Sequence, residues 1–369
     1  MLIAVASTFG LQEVIRDKVS TFNGHIKISN YDRNNSQVSI TPMDRSAAAS
    51  IDTLANVAHI QAVATKAGIV RTETDFEGFI LKGIGDDYDP TAFATYVSEG
   101  RMPRVDGNRE NTELLVSRYL ANRLNFKLGD KVIAYFLRDD TRANTRRFDI
   151  VGIYDSGFQE FDATYAIADI RHIQRMNKWD ASQVGNLEVF VHDYDDIEET
   201  GLQVYDNVDT FLESQTVAEQ FPSIFQWLEL FDLNMLAILF IMVLVGGINM
   251  ITALLVLILD RSQMIGILRA LGSSNWQIRR IFLINASLLV GKGLFIGNAI
   301  GLGLLAIQYY TGVFSLDPET YYVTQAPVRF HWGWILGINL GTIALCYLMM
   351  LVPSMIISRI DITKTLKFE

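Results

Sequence analysis

The sequence is poor in the side chains that build metal sites, disulfides and catalytic centres. Its 369 residues include one cysteine, Cys346, and five scattered histidines, which excludes a disulfide framework and a thiolate metal site. It also lacks a P-loop, an H-E-x-x-H motif and a G-x-S-x-G motif, the usual signs of nucleotide, zinc and serine chemistry. We therefore expect a protein that is not an enzyme and has no catalytic residue, metal or cofactor of its own.

Basic charge is scarce in the first part of the chain. Residues 1–225 carry 22 Lys or Arg against 34 Asp or Glu, whereas residues 226–369 carry 9 against 7. An acidic, water-exposed first part argues against nucleic-acid binding. Because half of all residues are hydrophobic and the mean hydropathy is +0.21, we expect a soluble domain joined to a membrane domain.

Three long runs in the second part predict membrane helices. They are 233–259, 281–310 and 330–357, and each exceeds the roughly 20 residues that cross a bilayer. The loop between the first two runs and the tail after the third hold most of the basic residues here, which places both in the cytoplasm. The loop 311–329 and the acidic region 22–225 then lie outside the cytoplasm.

The start of the chain is apolar but short. Residues 1–10 would cover only about 15 Å as a helix, half of a bilayer, and no secretory signal pattern surrounds them. We interpret residues 1–21 as the end of a truncated first transmembrane helix that continues as a stalk, where Ile15, Val19 and Phe22 share one face.

Residues 22–225 predict a mixed α/β domain, so the fold class of the whole chain is α+β. Short β-rich runs alternate with amphipathic stretches and turn signals. The predicted strands are 25–29, 37–41, 78–83, 113–116, 131–137, 147–154 and 186–191, and the predicted helices are 45–58, 117–124, 168–176 and 197–208.

The charged stretch 260–275, between the first two apolar runs, predicts an amphipathic helix. Ile265, Leu268 and Leu271 recur at helical spacing, and Gly272 fits the end of that helix. Such a segment lies on the bilayer surface or presses into a groove on another protein, and the residues by themselves leave both readings open.

Residues 249–282 resemble the coupling region of the FtsX-like ABC transporter permeases. Their pattern is an asparagine, an apolar run, an acidic and a basic residue, and then I-x-[IV]-L-[RK]-x-L-G. The positions that fit it are Asn249, Asp260, Arg261, Ile265, Ile267, Leu268, Arg269, Leu271, Gly272, Ile278 and Phe282. The resemblance implies a polytopic permease with four membrane helices, a MacB-like periplasmic domain at 22–225 and a permease domain at 226–369, with ATP bound by a partner ATPase.

Other segments are similar to the lipoprotein-releasing permeases of the LolC/LolE type. They are 9–28, 79–85, 114–136, 148–167 and 321–332. This resemblance implies an inner-membrane subunit that extracts lipoproteins and passes them to a LolA-like periplasmic carrier. A LolD-like ATPase would drive it, and a second permease subunit, identical or a sister, would complete it.

The resemblance also implies site residues. Those that would couple to the ATPase are Arg261, Ile265, Leu268, Arg269, Leu271 and Gly272. Those that would line a lipoprotein cavity, or else contact membrane lipids or neighbouring helices, are Leu233, Leu236, Phe240 and Met242. A loop that would bind the carrier, or else form a solvated hairpin tip, contains Arg138, Arg142, Arg146 and Arg147.

Lys292, inside the second apolar run, departs from the family pattern. A charge inside a membrane is a functional hypothesis by default, although snorkelling or an interhelical hydrogen bond would also explain it. Two alternatives to lipoprotein release remain: a MacB-like exporter or mechanotransmitter, and an FtsX-like regulator of cell-wall hydrolysis.

Overall fold

The computed structural model describes residues 1–31, 37–72, 75–105, 110–136 and 144–354. Contacts divide the chain into two units. The helical unit consists of Met1–Gln12, Gln226–Ser315 and the chain from Gln325, and the sheet unit consists of Glu13–Phe225 and Leu316–Thr324.

The described strands are β1 Ile26–Asn30, β2 Met43–Asp44, β3 Val57–Arg71, β4 Phe76–Ile84, β5 Val97–Gly100, β6 Glu113–Ser117, β7 Lys131–Phe136, β8 Asn144–Tyr154, β9 Tyr165–Asp169, β10 Gln183–Val184, β11 Asn186–Val191 and β12 Leu212–Thr216. The described helices are α1 Leu2–Asn23, α2 Pro90–Ala94, α3 Arg118–Leu124, α4 Gln159–Asp162, α5 Arg171–Asn177, α6 Ile197–Asn207, α7 Val217–Gln220, α8 Pro222–Asp260, α9 Ser262–Ala270, α10 Asn275–Thr311, α11 Pro318–Tyr321 and α12 Trp332–Ser354.

Six strands of the sheet unit close into a ring. β3 pairs with β4, and the pairing continues through β9, β6, β8 and β7 back to β3. Three strands of the ring each contribute a buried phenylalanine, Phe79, Phe136 and Phe148, and the rings of Phe79 and Phe136 lie 5.9 Å apart between centroids. Gly68 is required beside them, because a Cβ there would stand 2.7 Å from the Phe136 ring.

The sheet extends beyond the ring because β3 is 15 residues long. Its first half pairs with β11, which is followed by β1 and β12. Ile26 of β1 lies opposite Thr216 of β12. Since β1 follows α1 and β12 precedes α7 and α8, the two segments that lead out of the sheet unit start side by side.

The end of α1 is anchored in the core of the sheet unit. Ile15, Val19 and Phe22 are buried, as their spacing predicts. The Phe22 ring lies 4.9 Å from Phe93 and 5.0 Å from Phe161, measured between ring centroids. These aromatic contacts fix the helix against the sheet.

Two predicted elements are wrong and several strands were not predicted. Residues 37–41 form no strand, although Ser39 donates its N–H to the Thr65 carbonyl at 3.0 Å. The alanine-rich predicted helix 45–58 is a short 3₁₀ turn at Arg45–Ser50, and strand β3 already begins at Val57. At the end of the predicted helix, pairing of β3 with β11 overrides local helix propensity. The strands without a prediction are β3, β5, β9 and β12 and the two short strands β2 and β10.

The helical unit contains three helices that are long and apolar enough to span a membrane, among the described residues. They run over Pro222–Asp260, Trp276–Thr311 and Trp332–Met350. The first begins eleven residues before the predicted run at 233, because amphipathic residues continue the helix beyond its apolar part. Residues 355–357 of the third predicted run lie outside the described part.

An amide pair joins α10 to α12. Asn298 donates its amide N–H to Asn339 Oδ1 at 2.6 Å, and Asn339 donates back to Asn298 Oδ1 at 3.2 Å. Asn339 also donates to the Ile335 carbonyl at 2.7 Å. Because polar groups in an apolar surrounding need partners, this reciprocal pair favours one register of the two helices.

Candidate coupling site

The turn that ends α9 is set by Gly272. Its φ is +91°, a conformation that favours glycine. Its N–H donates to the Arg269 carbonyl at 2.9 Å, and the N–H of Ser273 donates to the Leu268 carbonyl at 3.0 Å. These two bonds form a Schellman motif, which stops the helix and satisfies its last carbonyls.

The next helix, α10, begins with a capping box. Ser274 Oγ accepts from the N–H of Gln277 at 3.3 Å, and Gln277 Oε1 accepts from the N–H of Ser274 at 2.9 Å. The predicted helix 260–275 is therefore shorter: α9 ends at Ala270 and α10 begins at Asn275. Local sequence fixes the joint between them.

One face of α9 is buried against the adjoining ends of the long helices. Ile265 is 0% exposed, and Leu268 packs partly buried on the same cluster. The other buried members of the cluster are Leu254, Ile258, Ile278, Phe282, Leu283, Ala286 and Met350. The predicted apolar stripe therefore divides, with Ile265 and Leu268 holding α9 in place and Leu271 facing away.

The opposite face of α9 and the start of α10 form an exposed apolar surface, called here the coupling surface. It consists of Met264, Ile267, Leu271 and Trp276, and Leu271 is 78% exposed. Sequence reasoning missed Met264 and Trp276, although Met264, Ile267 and Leu271 also recur at helical spacing. Arg261 is exposed, and Arg269 is partly buried.

The predicted cavity residues all lie on α8 and are exposed in the single chain. Leu233, Leu236 and Phe240 follow the i, i+3, i+7 spacing of one helix face. Met242 lies on another face, where its Sδ is 3.3 Å from the amino group of Met1. Three of the four predicted cavity residues therefore lie on the same face of α8.

Of the four predicted carrier-binding arginines, the structure describes two, and these two lie on opposite faces of one strand. Arg138 and Arg142 lie outside the described residues. Arg146 and Arg147 lie on β8, opposite Ala134 and Ile133 of β7. Ala134 is buried and Ile133 is exposed, so the two arginines leave the strand on opposite faces, and Arg147 is the one on the exposed face.

Lys292 lies near the middle of α10 and is exposed in the single chain. No ion pair involves it among the residues that the structure describes. An ammonium group at this depth needs water or an anionic partner, so its role stays a prediction.

A buried ion pair in the sheet unit escaped the sequence analysis. Lys82 Nζ lies 2.7 and 2.9 Å from the two carboxylate oxygens of Glu188, and the side chains are 3% and 4% exposed. Lys82 also donates to the carbonyl of Phe22, near the end of α1, and Gln61 donates to Glu188 at 2.8 Å. This network ties the helix end to β4 and β11.

Asp162 is a second buried carboxyl group. It is 5% exposed, and it is the last residue of α4. Burial raises the pKa of Asp162 to about 6, and a hydrogen bond donated by Ser156 Oγ at 2.7 Å partly opposes this rise because it stabilises the charged carboxylate. Lys18 of α1 faces the same carboxyl group.

The geometry defines a class of membrane protein. A mixed α/β domain follows a first helix, and long apolar helices come after it, two of them joined by a short, capped, amphipathic helix. The chain belongs to the family of ABC transporter permeases that combine a MacB-like periplasmic core domain, matched over residues 1–204, with an FtsX-like permease C-terminal domain, matched over residues 236–362. It is accordingly a multi-pass inner-membrane protein with a periplasmic domain.

Curated relatives carry the names of lipoprotein-releasing system transmembrane proteins. LolC of Xylella fastidiosa is 23% identical over 270 residues, which are 69% of this chain and 65% of that protein. LolE of Haemophilus influenzae is 20% identical over 283 residues, which are 74% of this chain and 66% of that protein. The chain spans about two thirds of the length of these relatives.

Two solved structures are similar to part of the chain. The extracellular domain of the noncanonic ABC-type transporter YknZ from Gram-positive bacteria covers 52% of this chain and 99% of its own, at 16% identity and a TM-score of 0.36. The periplasmic region of MacB from Actinobacillus actinomycetemcomitans covers 55% and 92%, at 15% identity and a TM-score of 0.38.

Proposed function

We propose that the chain is a permease subunit that extracts lipoproteins from the inner membrane and hands them to a periplasmic carrier. A partner ATPase binds ATP and drives this work, and a second permease subunit completes the transport path. Sequence likeness to LolC and LolE supports the cargo.

The coupling surface is the observation that carries the proposal. An apolar surface on a cytoplasmic loop needs a cover, and a groove on an ATPase supplies one. The same short helix is locked to the long helices through Ile265. A push on Leu271 or Ile267 would therefore reach α8 and α10 without being lost in a flexible loop.

Co-purification of the ATPase tests the coupling surface. Leu271→Asp places a charge in the centre of the interface, so we expect loss of the bound ATPase. Leu202→Asp is the matched control, because Leu202 is a leucine on the surface of α6 in the sheet unit and is 68% exposed. Equal ATPase recovery with both variants would reject the coupling surface.

Acyl chains need an apolar shelter when they leave the bilayer. Each buried CH₂ is worth about 0.8 kcal/mol, so three chains amount to tens of kcal/mol. Leu233, Leu236 and Phe240 form an exposed apolar face on α8 that suits such a shelter when a second permease subunit stands opposite.

Photo-crosslinking tests this face. A photoreactive residue at position 240 is expected to capture a triacylated lipoprotein in native membranes. The same residue at position 256 is the control, because Val256 is also exposed on α8 but lies near the C-terminal end of that helix, whereas position 240 lies near its middle. Equal capture at both positions would mean general lipid contact and would reject the shelter.

The carrier surface rests on the exposed face of β7 and β8. Arg147 stands there beside Ile133 and Tyr135, which combines positive charge with apolar contact area. Arg147→Glu should weaken crosslinking to the carrier, whereas Arg146→Glu should affect it less, since Arg146 leaves the other face.

Co-purification of an outer-membrane channel or a cell-wall hydrolase, in place of lipoproteins, would favour the exporter or the regulator.

A further inference from the structure

The sheet unit includes a short segment from far along the chain. Residues 316–324 lie between α10 and α12 in sequence, yet they pack with residues 13–225. The segment is closed by a hydrogen bond from the N–H of Leu316 to the Thr324 carbonyl at 3.0 Å. We call it the outer loop.

Tyr322 is the point where the outer loop contacts the sheet unit. Its ring stacks on Phe158, with 4.5 Å between ring centroids and 14° between planes. Phe158 is itself fully buried and stacks on Phe161 at 4.6 Å. Phe161 packs in turn on Phe22 of α1. A continuous aromatic path therefore runs from the outer loop to the first helix.

A hydrogen bond reinforces the stack. Lys18 Nζ of α1 donates to the Tyr322 carbonyl at 3.1 Å. Val323, the next residue, is buried. The outer loop is thus held by a ring, by a charged donor and by a buried side chain.

The backbone of Tyr322 is strained. Its φ is +58°, a left-handed conformation that is rare for a bulky residue. Tyr322 directly follows α11, where a left-handed residue commonly ends a helix, and its surroundings must offset the cost of this conformation for a bulky side chain. The surface beneath is rigid as well, because Ser156 Oγ accepts from the N–H of Phe158 at 3.1 Å and donates to Asp162.

We propose that Tyr322 is a positioning residue that permanently ties the outer loop to the sheet unit and so carries motion between the α10–α12 segment and the periplasmic domain. The domain then has a third mechanical attachment beside α1 and α8. This inference rests on the proposed transport function, since a tie matters where ATP hydrolysis moves the domain.

A disulfide tests whether the tie is permanent. A Cβ built on Gly157 would stand 4.0 Å from Thr324 Cγ2 and 3.2 Å from Lys18 Nζ, and the φ of Gly157 is +65°, so a disulfide to position 324 requires local shifts of the backbone and of Lys18. Gly157→Cys and Thr324→Cys are combined in a Cys346→Ser background, and bond formation is read from protection against a maleimide–polyethylene glycol gel shift. Gly157→Cys by itself is the control. We expect the bond to form with and without ATP, and the oxidised complex to retain transport.

Three substitutions test whether the tie transmits motion. Tyr322→Gly keeps the left-handed backbone and the carbonyl but removes the ring, and it should lower lipoprotein release per ATP by about fivefold, a stacking loss converted at tenfold per 1.4 kcal/mol. Tyr322→Phe keeps the stacked ring and should stay much closer to the wild type than Tyr322→Gly. Tyr321→Ala removes the neighbouring exposed aromatic and should have little effect.

The outcomes separate the tie from the proposed cargo. Transport arrested by the disulfide, or full coupling in Tyr322→Gly, would overturn the tie. ATP hydrolysis is measured in the same proteoliposomes. If the wild type releases no lipoprotein, the proposed cargo is rejected. The tie would still be supported if the rate of ATP hydrolysis changed in Tyr322→Gly and not in Tyr322→Phe.

Discussion

Removing the ammonium group of Lys82 should strongly destabilise the sheet unit. In Lys82→Met the Glu188 carboxylate would stay buried with only the Gln61 hydrogen bond, and the Phe22 carbonyl would lose its donor. Breaking a buried pair from one side costs about 3–5 kcal/mol. Because Gln61 still compensates part of the charge, we expect a loss of about 3 kcal/mol.

The double substitution Lys82→Met with Glu188→Leu should recover most of that loss. No uncompensated charge remains in the double variant, and apolar replacements of buried ion pairs are often neutral or stabilising. The Gln61 amide and the Phe22 carbonyl still lose partners, so we expect a net loss of about 1 kcal/mol.

Hydrogen exchange of the β4 and β11 amides in the full chain measures both effects. A loss of about 3 kcal/mol corresponds to roughly hundredfold faster exchange through global opening. Arg45→Met is the control, because Arg45 pairs with Asp86 and Asp87 at the surface and should change exchange little. If Lys82→Met changed exchange as little as Arg45→Met, or if the double variant were as unstable as the two single losses added, the reasoning would be refuted.

Three further predictions concern other parts of the chain. Gly272→Ala should destabilise α9 by about 1 kcal/mol and so speed its hydrogen exchange, because alanine is strained at a φ of +91° even though no neighbouring atom would clash with its Cβ. The control is Gly303→Ala in the interior of α10, which should slow hydrogen exchange in that helix. Equal effects of the two substitutions would contradict the capping role of Gly272. Asp162→Asn should stabilise the sheet unit above pH 6 by about 2 kcal/mol. The pKa of Asp162 in the folded protein, about 6, exceeds the reference value of 3.8, so the wild-type protein becomes less stable as the pH rises from about 4 to 6. Thermal unfolding measures this: a stabilisation by Asp162→Asn that does not change between pH 4 and 7 would count against the prediction. Asn298→Leu should lower the resistance of the helical unit to denaturant by about 1 kcal/mol, and adding Asn339→Leu should restore it; additive losses would exclude the amide pair.

Local sequence determined much of the coupling site. The Schellman turn at Gly272 and the capping box at Ser274 depend on residues within five positions of each other, so short-range chemistry suffices to predict where one helix stops and the next begins. The long apolar runs determined the three spanning helices for the same reason, because length and hydropathy are properties of a continuous segment.

Tertiary structure decided which face of each element is used. Helical spacing fits two apolar stripes on α9 equally well, one with Ile265 and Leu268 and one with Met264 and Ile267. Only the packing of α9 against α8 and α10 shows that the stripe with Ile265 and Leu268 faces the core. Likewise, Arg146 and Arg147 alternate on β8 as neighbours in any strand do, and only the packing of the sheet placed Arg147 on its exposed face. Periodicity gives the faces of an element but not the direction of its core.

Composition and neighbouring residues were enough to predict the class of the chain, the presence of its three membrane helices and the turn at Gly272, although not the first residue of α8 or the last residue of α9. The Lys82–Glu188 pair and the contact of Tyr322 with Phe158 arise from the folding of the whole chain, because their partners are 106 and more than 160 residues apart. Contacts at such separations depend on strand order and loop path, which no local pattern encodes.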